Sequence, residues 1–204
     1  IANINRYSDA GSQSVYVLFG NSNQINSVDL NNLKSGTSTL GYVIHADPNL
    51  PVLGVNLGYE GTKCASDFNG DGLNDLVIEG ATYPEVLVGD DPFNLTSINN
   101  HVLYVIFGKT TTNSINLNAL GNQGYTITMS LAGLSDSASY ALRTSNTGDM
   151  NGDGLDDLLV TATWLSNNSS TLNLSSYVVY GKTDNANIDL STIGNYGFKV
   201  YTAS

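Results

Sequence analysis

The sequence predicts an all-β chain built from a repeated four-stranded unit, and three observations carry that expectation. One short string recurs at three places, Ser14-Val-Tyr-Val-Leu-Phe-Gly20, Val102-Leu-Tyr-Val-Ile-Phe-Gly108 and Ser176-Tyr-Val-Val-Tyr-Gly181. An Asp-rich string occurs twice, Asp67-Phe-Asn-Gly-Asp-Gly-Leu-Asn-Asp-Leu76 and Asp149-Met-Asn-Gly-Asp-Gly-Leu-Asp-Asp-Leu158, 82 residues apart. Short runs of Val, Ile, Leu, Tyr and Phe bounded by Gly, Asn, Asp and Ser complete the pattern, with no amphipathic 3.6-residue period of helical length.

Within a unit, the first strand precedes the Asp-rich loop, the second follows it, and the third ends in Phe/Tyr-Gly. A polar stretch then leads to Val28-Asp-Leu-Asn-Asn-Leu33, Ile115-Asn-Leu-Asn-Ala-Leu120 or Ile188-Asp-Leu-Ser-Thr-Ile193. The fourth strand opens at Gly41-Tyr-Val-Ile44, Gly124-Tyr-Thr-Ile127 and Gly197-Phe-Lys-Val200. Four antiparallel strands recurring with their own loop chemistry make a β-propeller blade. Ile1 to Tyr7 corresponds to the end of a second strand, so residues 1–48 form a partial first blade. Residues 49–129 form a second blade with its loop at 67–75, and residues 130–204 a third with its loop at 149–157. The period varies from 88 residues (Phe19 to Phe107) to 73 (Phe107 to Tyr180), a difference that belongs in surface connections. Half a blade plus two is an incomplete propeller, because closed ones use about four to eight. The chain is therefore expected to be either a piece of a longer parent or a protomer whose open edges other copies complete. The opening Ile, with no charged-then-apolar leader, fits a processed protein or a fragment.

Charged residues make up 12% of the chain, against about a quarter in an average soluble domain, and the net charge is −11. That balance excludes nucleic acid as a partner, since no basic cluster is present to neutralise phosphates, and it attracts cations. The apolar runs are far shorter than the roughly 20 residues of a membrane-spanning helix. The single cysteine, Cys64, excludes an internal disulfide and matches no zinc spacing.

In Asp-x-Asn-x-Asp-Gly-x-x-Asp, oxygen ligands alternate along the chain and a glycine permits the turn that folds them about one point. The first loop offers Asp67, Asn69, Asp71, the carbonyl of Leu73, and Asp75. The second offers Asp149, Asn151, Asp153, the carbonyl of Leu155, and Asp157. Asn74 and Asp156 occupy the intervening non-ligand position. An all-oxygen set with six to eight donors suits calcium and disfavours zinc or copper, so two calcium sites are expected.

Together these residues resemble the FG-GAP repeat family, the calcium-binding β-propeller of integrin α-subunits and of many bacterial surface proteins. Phe19-Gly20 and Phe107-Gly108 match its "FG" and Tyr180-Gly181 is a variant. Glu79-Gly-Ala-Thr-Tyr83 and Thr161-Ala-Thr-Trp164 stand at "GAP" but lack the proline. The resemblance covers nearly the whole chain and implies an extracellular or cell-surface module for adhesion or recognition. Its partner would be a protein or glycan ligand, or further copies of itself. The alternatives are a structural subunit of a fibre or sheath joined through open blade edges, and a non-catalytic propeller region of a larger secreted enzyme.

The connections from Pro84 to Asn100 and from Leu165 to Ser175 lie on the face opposite the Asp-rich loops, the face that binds ligands in integrins. They carry the sequons at Asn94, Asn167, Asn168 and Asn173, which are candidate glycosylation sites. Tyr83 and Trp164 lead into them and are the candidate partner contacts. No enzyme is expected. The only histidines, His45 and His101, sit at strand ends outside any catalytic motif. No partner can be placed beside Glu79 or Glu85. Gly108-Lys-Thr110 and Gly181-Lys-Thr183 lack the glycine that a phosphate loop needs five positions earlier, where Leu103 and Ser176 stand. Tyr16, Tyr104 and Tyr177 lie inside strands and are expected to pack between blades.

Overall fold

The computed structural model describes residues 2–6, 14–20, 27–46, 65–82, 100–130, 137–166 and 172–201. The chain is mostly β, and its strands form three sheets. The first contains β1 (Ala2–Arg6), β2 (Ser14–Leu18) and β3 (Gly41–His45), paired antiparallel in sequence order. The second contains β4 (Ala65–Ser66), β5 (Asp75–Thr82), β6 (Asn100–Ile106) and, after β7 (Ile115–Asn116), β8 (Gly124–Thr128). The third contains β9 (Ser137–Gly148), β10 (Asp157–Ser166), β11 (Leu172–Val179) and, after β12 (Ile188–Asp189), β13 (Gly197–Val200). The repeat is kept in register: Leu18 faces Gly41, Ile106 faces Gly124 and Val179 faces Gly197.

One feature goes beyond four antiparallel strands. The pair Ile115–Asn116 runs parallel to the outer edge of β3, with Ile44 opposite Ile115, and Ile188–Asp189 does the same on β8, with Ile127 opposite Ile188. The second and third repeats thus reach back to cover the edge of the sheet before them. Two extended residues show no alternation, and their partner strand is far away in sequence, so they read as a plain connection. The polar string that follows forms a single helical turn, α1 (Leu30–Lys34), or a 3-10 turn at Leu117–Ala119 and Leu190–Thr192. Asp29 and Asp189 cap these turns, their side chains accepting from the backbone N–H of Asn31 and Ser191.

The core explains why the recurring string is an unbroken apolar run rather than an alternating one. Along β6, Leu103 and Val105 pack against the third sheet, while Tyr104 and Ile106 pack against the first. Both faces of the strand are buried from Leu103 to Ile106, so every position of that run is apolar. Val15, Val17, Tyr42 and Ile44 of the first sheet meet Leu76, Ile78, Tyr104 and Ile106 of the second in one cluster. A larger one joins Val105, Tyr125 and Ile127 to Leu158, Val160 and Tyr177. Each such side chain contributes about 1.5–3 kcal/mol by leaving water. Tyr16, Tyr104 and Tyr177 are all buried, and the last two pack between sheets as expected.

The glycine of Phe/Tyr-Gly has a packing reason. A Cβ on Gly108 would lie 2.7 Å from the carbonyl oxygen of Asn74, and one on Gly181 would lie 2.6 Å from that of Asp156 and 2.9 Å from that of Phe68. The Asp-rich loop rests directly on this backbone. Among the described residues, none has an atom within 4 Å of the same position at Gly20. Gly181→Ala should therefore cost about 1–3 kcal/mol and lower the melting temperature, whereas Gly20→Ala should leave it nearly unchanged. Equal effects in thermal melts of the two variants would contradict this packing.

Candidate functional site

The two Asp-rich loops adopt one hydrogen-bonded structure, residue for residue. In the first, Asp67 Oδ1 accepts from the backbone N–H of Gly70 (2.7 Å) and Asp71 (3.0 Å), and Oδ2 accepts from Gly72 (2.9 Å). Asn69 Oδ1 accepts from Asp71 N–H and Asp71 Oδ1 from Leu73 N–H, while the Asn69 amide donates to Asp71 Oδ2. In the second, Asp149, Asn151 and Asp153 repeat these bonds with Gly152, Asp153, Gly154 and Leu155. The geometry requires left-handed glycines, at φ +76° and +83° in Gly70 and Gly72 and +80° and +89° in Gly152 and Gly154. The amides hold the Asp149 carboxyl below its ordinary range, with Gly154 N–H the largest contributor.

The last aspartate of each loop does something different. Asp75 and Asp157 are fully buried, and each bridges two backbone amides. Asp75 accepts from Phe68 N–H (2.8 Å) and from Gly108 N–H (2.7 Å). Asp157 accepts from Met150 N–H (2.8 Å) and Gly181 N–H (2.9 Å). The carboxylate ties the loop to the end of the third strand of its own unit. Burial pushes the Asp75 carboxyl up to about 6, a rise that the two amides oppose. Among the described residues, no three His, Cys, Asp or Glu side chains converge as a metal-ligating group. The loop oxygens instead face the loop's own amides.

The loops also join neighbouring sheets. Asp156, in the non-ligand position, receives the hydroxyl of Ser66, which in turn accepts from the Asn146 amide at 2.7 Å. Asp156 N–H donates to the Asp67 carbonyl (3.2 Å), and Lys182 N–H to that of Phe68 (2.8 Å). The lysine that follows Phe/Tyr-Gly reaches back as well. Lys109 Nζ lies 4.3 Å from the ring centroid of Tyr42, and Lys182 Nζ lies 4.1 Å from that of Tyr125. Gly-Lys-Thr is thus an inter-sheet clasp. Beside it, a cleft of about 450 Å³ between the first two sheets is lined by Phe19, Gly20, Tyr42, Leu73, Asn74 and Lys109.

The structure gives Glu79 partners that its sequence context did not. Its carboxylate, almost wholly buried, meets His101 Nδ1 at 2.8 Å. Arg143 Nη1 from the third sheet donates to it at 3.1 and 3.3 Å. Glu79 interrupts the apolar run from Leu76 to Ala81, and that interruption is the sequence signal of a buried polar contact, whereas His101 only precedes the run from Val102 to Ile106. His45 meets Ser14 Oγ at 3.3 Å, and burial, then Lys34, lowers its pKa. Trp164 packs half-buried on the larger core cluster, and Asn173 stands opposite it on β11. Tyr83, Asn94, Asn167 and Asn168, like Cys64 and Glu85, lie outside the described residues.

No family model matches the chain, and no curated protein or solved structure is significantly similar to it.

The raised Asp75 carboxyl has a pH consequence. A group whose folded pKa lies above its unfolded value of 3.8 favours folding while protonated, so its contribution is complete below about pH 4 and lost as pH rises through about 6. In chelator, the protein should gain stability toward urea as pH falls from 7 to 5, and Asp75→Asn should flatten that gain. A wild-type stability that drops monotonically over this interval would exclude it. Glu79→Ala should cost about 3–5 kcal/mol, as removing one partner from a buried ionic cluster does. An unchanged urea midpoint would contradict its role between the sheets.

Proposed function

We propose that the chain is a calcium-stabilised, extracellular β-propeller segment acting in adhesion or recognition, with its three sheets as blades. The observation that carries this reading is the pair of Asp-rich loops, which share one hydrogen-bonding pattern at every position. Nothing in ordinary turn formation requires three acidic side chains and an asparagine to be set identically in two places. Asp67, Asn69, Asp71, the Leu73 carbonyl and Asp75 would hold the first ion, and Asp149, Asn151, Asp153, the Leu155 carbonyl and Asp157 the second. Asp75 and Asp157 would do so from the buried side, since each oxygen that accepts one amide keeps a second lone pair. The donors are all oxygen, which suits calcium.

Calcium would supply positive charge where Asp67 and Asp71 repel one another. Because the loop rests on Gly108 and on the next sheet, binding there stabilises the whole stack by linkage, about 2.7 kcal/mol at a hundredfold excess over Kd. Weak sites of this kind fill where calcium is millimolar, hence the extracellular assignment. Partner contact falls to the face carrying Tyr83, Trp164 and the sequons, with a protein or glycan as ligand. Among the described residues, no helix is long and apolar enough to cross a membrane.

A second reading, a structural subunit joined through open blade edges, is favoured by one observation. Strand β13 exposes Phe198 and Val200, whereas the equivalent strands are covered.

Isothermal titration with calcium should find two sites per chain, and one or none would remove the ligand assignment. Asp71→Ala should delete one site and lower the melting temperature in calcium by several degrees, with a much smaller change in chelator. Normal melting of that variant in calcium would mean the ion is not structural.

A further inference from the structure

Among the described residues, the repeat leaves one donor and one acceptor unmatched. Strands β3, β8 and β13 are equivalent, each opening with Gly-aromatic and pairing antiparallel with the strand that ends in Phe/Tyr-Gly. The outer edges of β3 and β8 are taken by Ile115–Asn116 and Ile188–Asp189. Among the described residues, nothing pairs with the outer edge of β13. The covering segments form a set of three as well, and the third, Val28 with Asp29, pairs with no strand among the described residues.

Burial follows the same division. Tyr42 and Ile44 are 2% and 0% exposed, Tyr125 and Ile127 are 2% and 0%, but Phe198 and Val200 are 41% and 43%. Tyr201 is 78% exposed, and Leu174, on the same face of β11 as Val178, is 58%. Among the described residues, four of the five exposed large hydrophobics therefore gather on this face and edge of the third sheet.

We propose that this edge and face dock the first repeat of a second copy of the chain. Val28-Asp29 of that copy would run parallel to Val200-Tyr201, in the register that Ile188–Asp189 uses on β8. The occupant is argued from continuity, because the chain already docks its own repeats in this way at two junctions. The unused donor has the chemistry of the second used one, Ile188–Asp189, a β-branched residue followed by aspartate. Asp189 shows what that aspartate supplies: its Oδ1 accepts from Ser191 N–H in its own turn (2.9 Å) and from Ser130 N–H, just beyond the covered strand β8 (3.0 Å). Asp29 makes the first of these bonds, to Asn31, and the second is the one a neighbouring copy completes. The lysine clasp is not repeated, because Asn21 stands where Lys109 and Lys182 do. This junction is weaker than the internal ones and depends on concentration.

The contact is head to tail, so it propagates into a filament or, if the rotation closes, a ring. Two copies would bring six sheets together, within the range of about four to eight in closed propellers. This inference rests on the second reading above, blades joined through edges, and not on the calcium assignment.

Sedimentation velocity of the full chain over a concentration series tests it, with folding followed by circular dichroism. The chain should self-associate, and Val28→Asp and Val200→Asp should each weaken association at least about tenfold. An equimolar mixture of the two should form a one-to-one dimer that grows no further, because one keeps the acceptor and the other the donor. If either variant fails to fold, cross-linking decides. In the internal junction Asn187 Oδ1 accepts from Thr126 N–H at 2.9 Å, and Ser27 and Lys199 are the equivalent positions. Ser27→Cys and Lys199→Cys, each in a Cys64→Ser chain, should form a covalent heterodimer when oxidised together. A chain that stays monomeric to about 1 mM, association that neither aspartate variant changes, or absence of the mixed disulfide would overturn the proposal. Two calcium sites on a monomer would leave the calcium reading standing alone, and association without calcium binding would do the reverse.

Discussion

The fold depends on a carboxylate buried between two backbone amides. Asp75 and Asp157 each accept one hydrogen bond from the second residue of their loop and one from the glycine that ends the third strand. A buried carboxylate would be costly alone, and the two amides are what make its burial tolerable. In return it fixes three things at once: where the loop folds, where the second strand begins, and how closely the third strand's end approaches. The glycines at 108 and 181 follow from that approach, since a side chain there would collide with the loop backbone.

From this anchor the contacts between sheets follow. The first loop is pinned to the second through Ser66, Asp156 and Asn146 on one side and through the Asp67 and Phe68 carbonyls on the other. Lysines after the strand-end glycine reach the aromatic residue of the preceding sheet, and two-residue strands cover the preceding edge. Each repeat spends part of its sequence on its neighbour. The unit cannot bury both faces of its strands alone, and stacking supplies the missing surface.

The scarcity of charge fits this arrangement. With 12% charged residues, several of the carboxylates are committed to amides, caps or inter-sheet contacts rather than scattered over the surface. Glu79 bound by His101 and Arg143 is the clearest instance, an ionic cluster placed where two sheets meet. Such clusters add little net stability but penalise misaligned packing strongly, because a shifted sheet leaves a buried charge unpaired.

The sequence by itself determined the β class, the strand order within each unit and the glycine turns of the loops. All three rest on contacts between residues close in the chain. The loop bonds span two to seven positions, and unbroken apolar runs mark strands buried on both faces. Only the tertiary structure decided which polar residues meet across repeats. Glu79 lies 64 positions from Arg143 and Ser66 lies 90 from Asp156, and either pairing depends on how one sheet is set against the next. The parallel two-residue strands were hidden for the same reason. A pattern two residues long carries no period, so only the presence of an uncovered edge nearby gives it a structure.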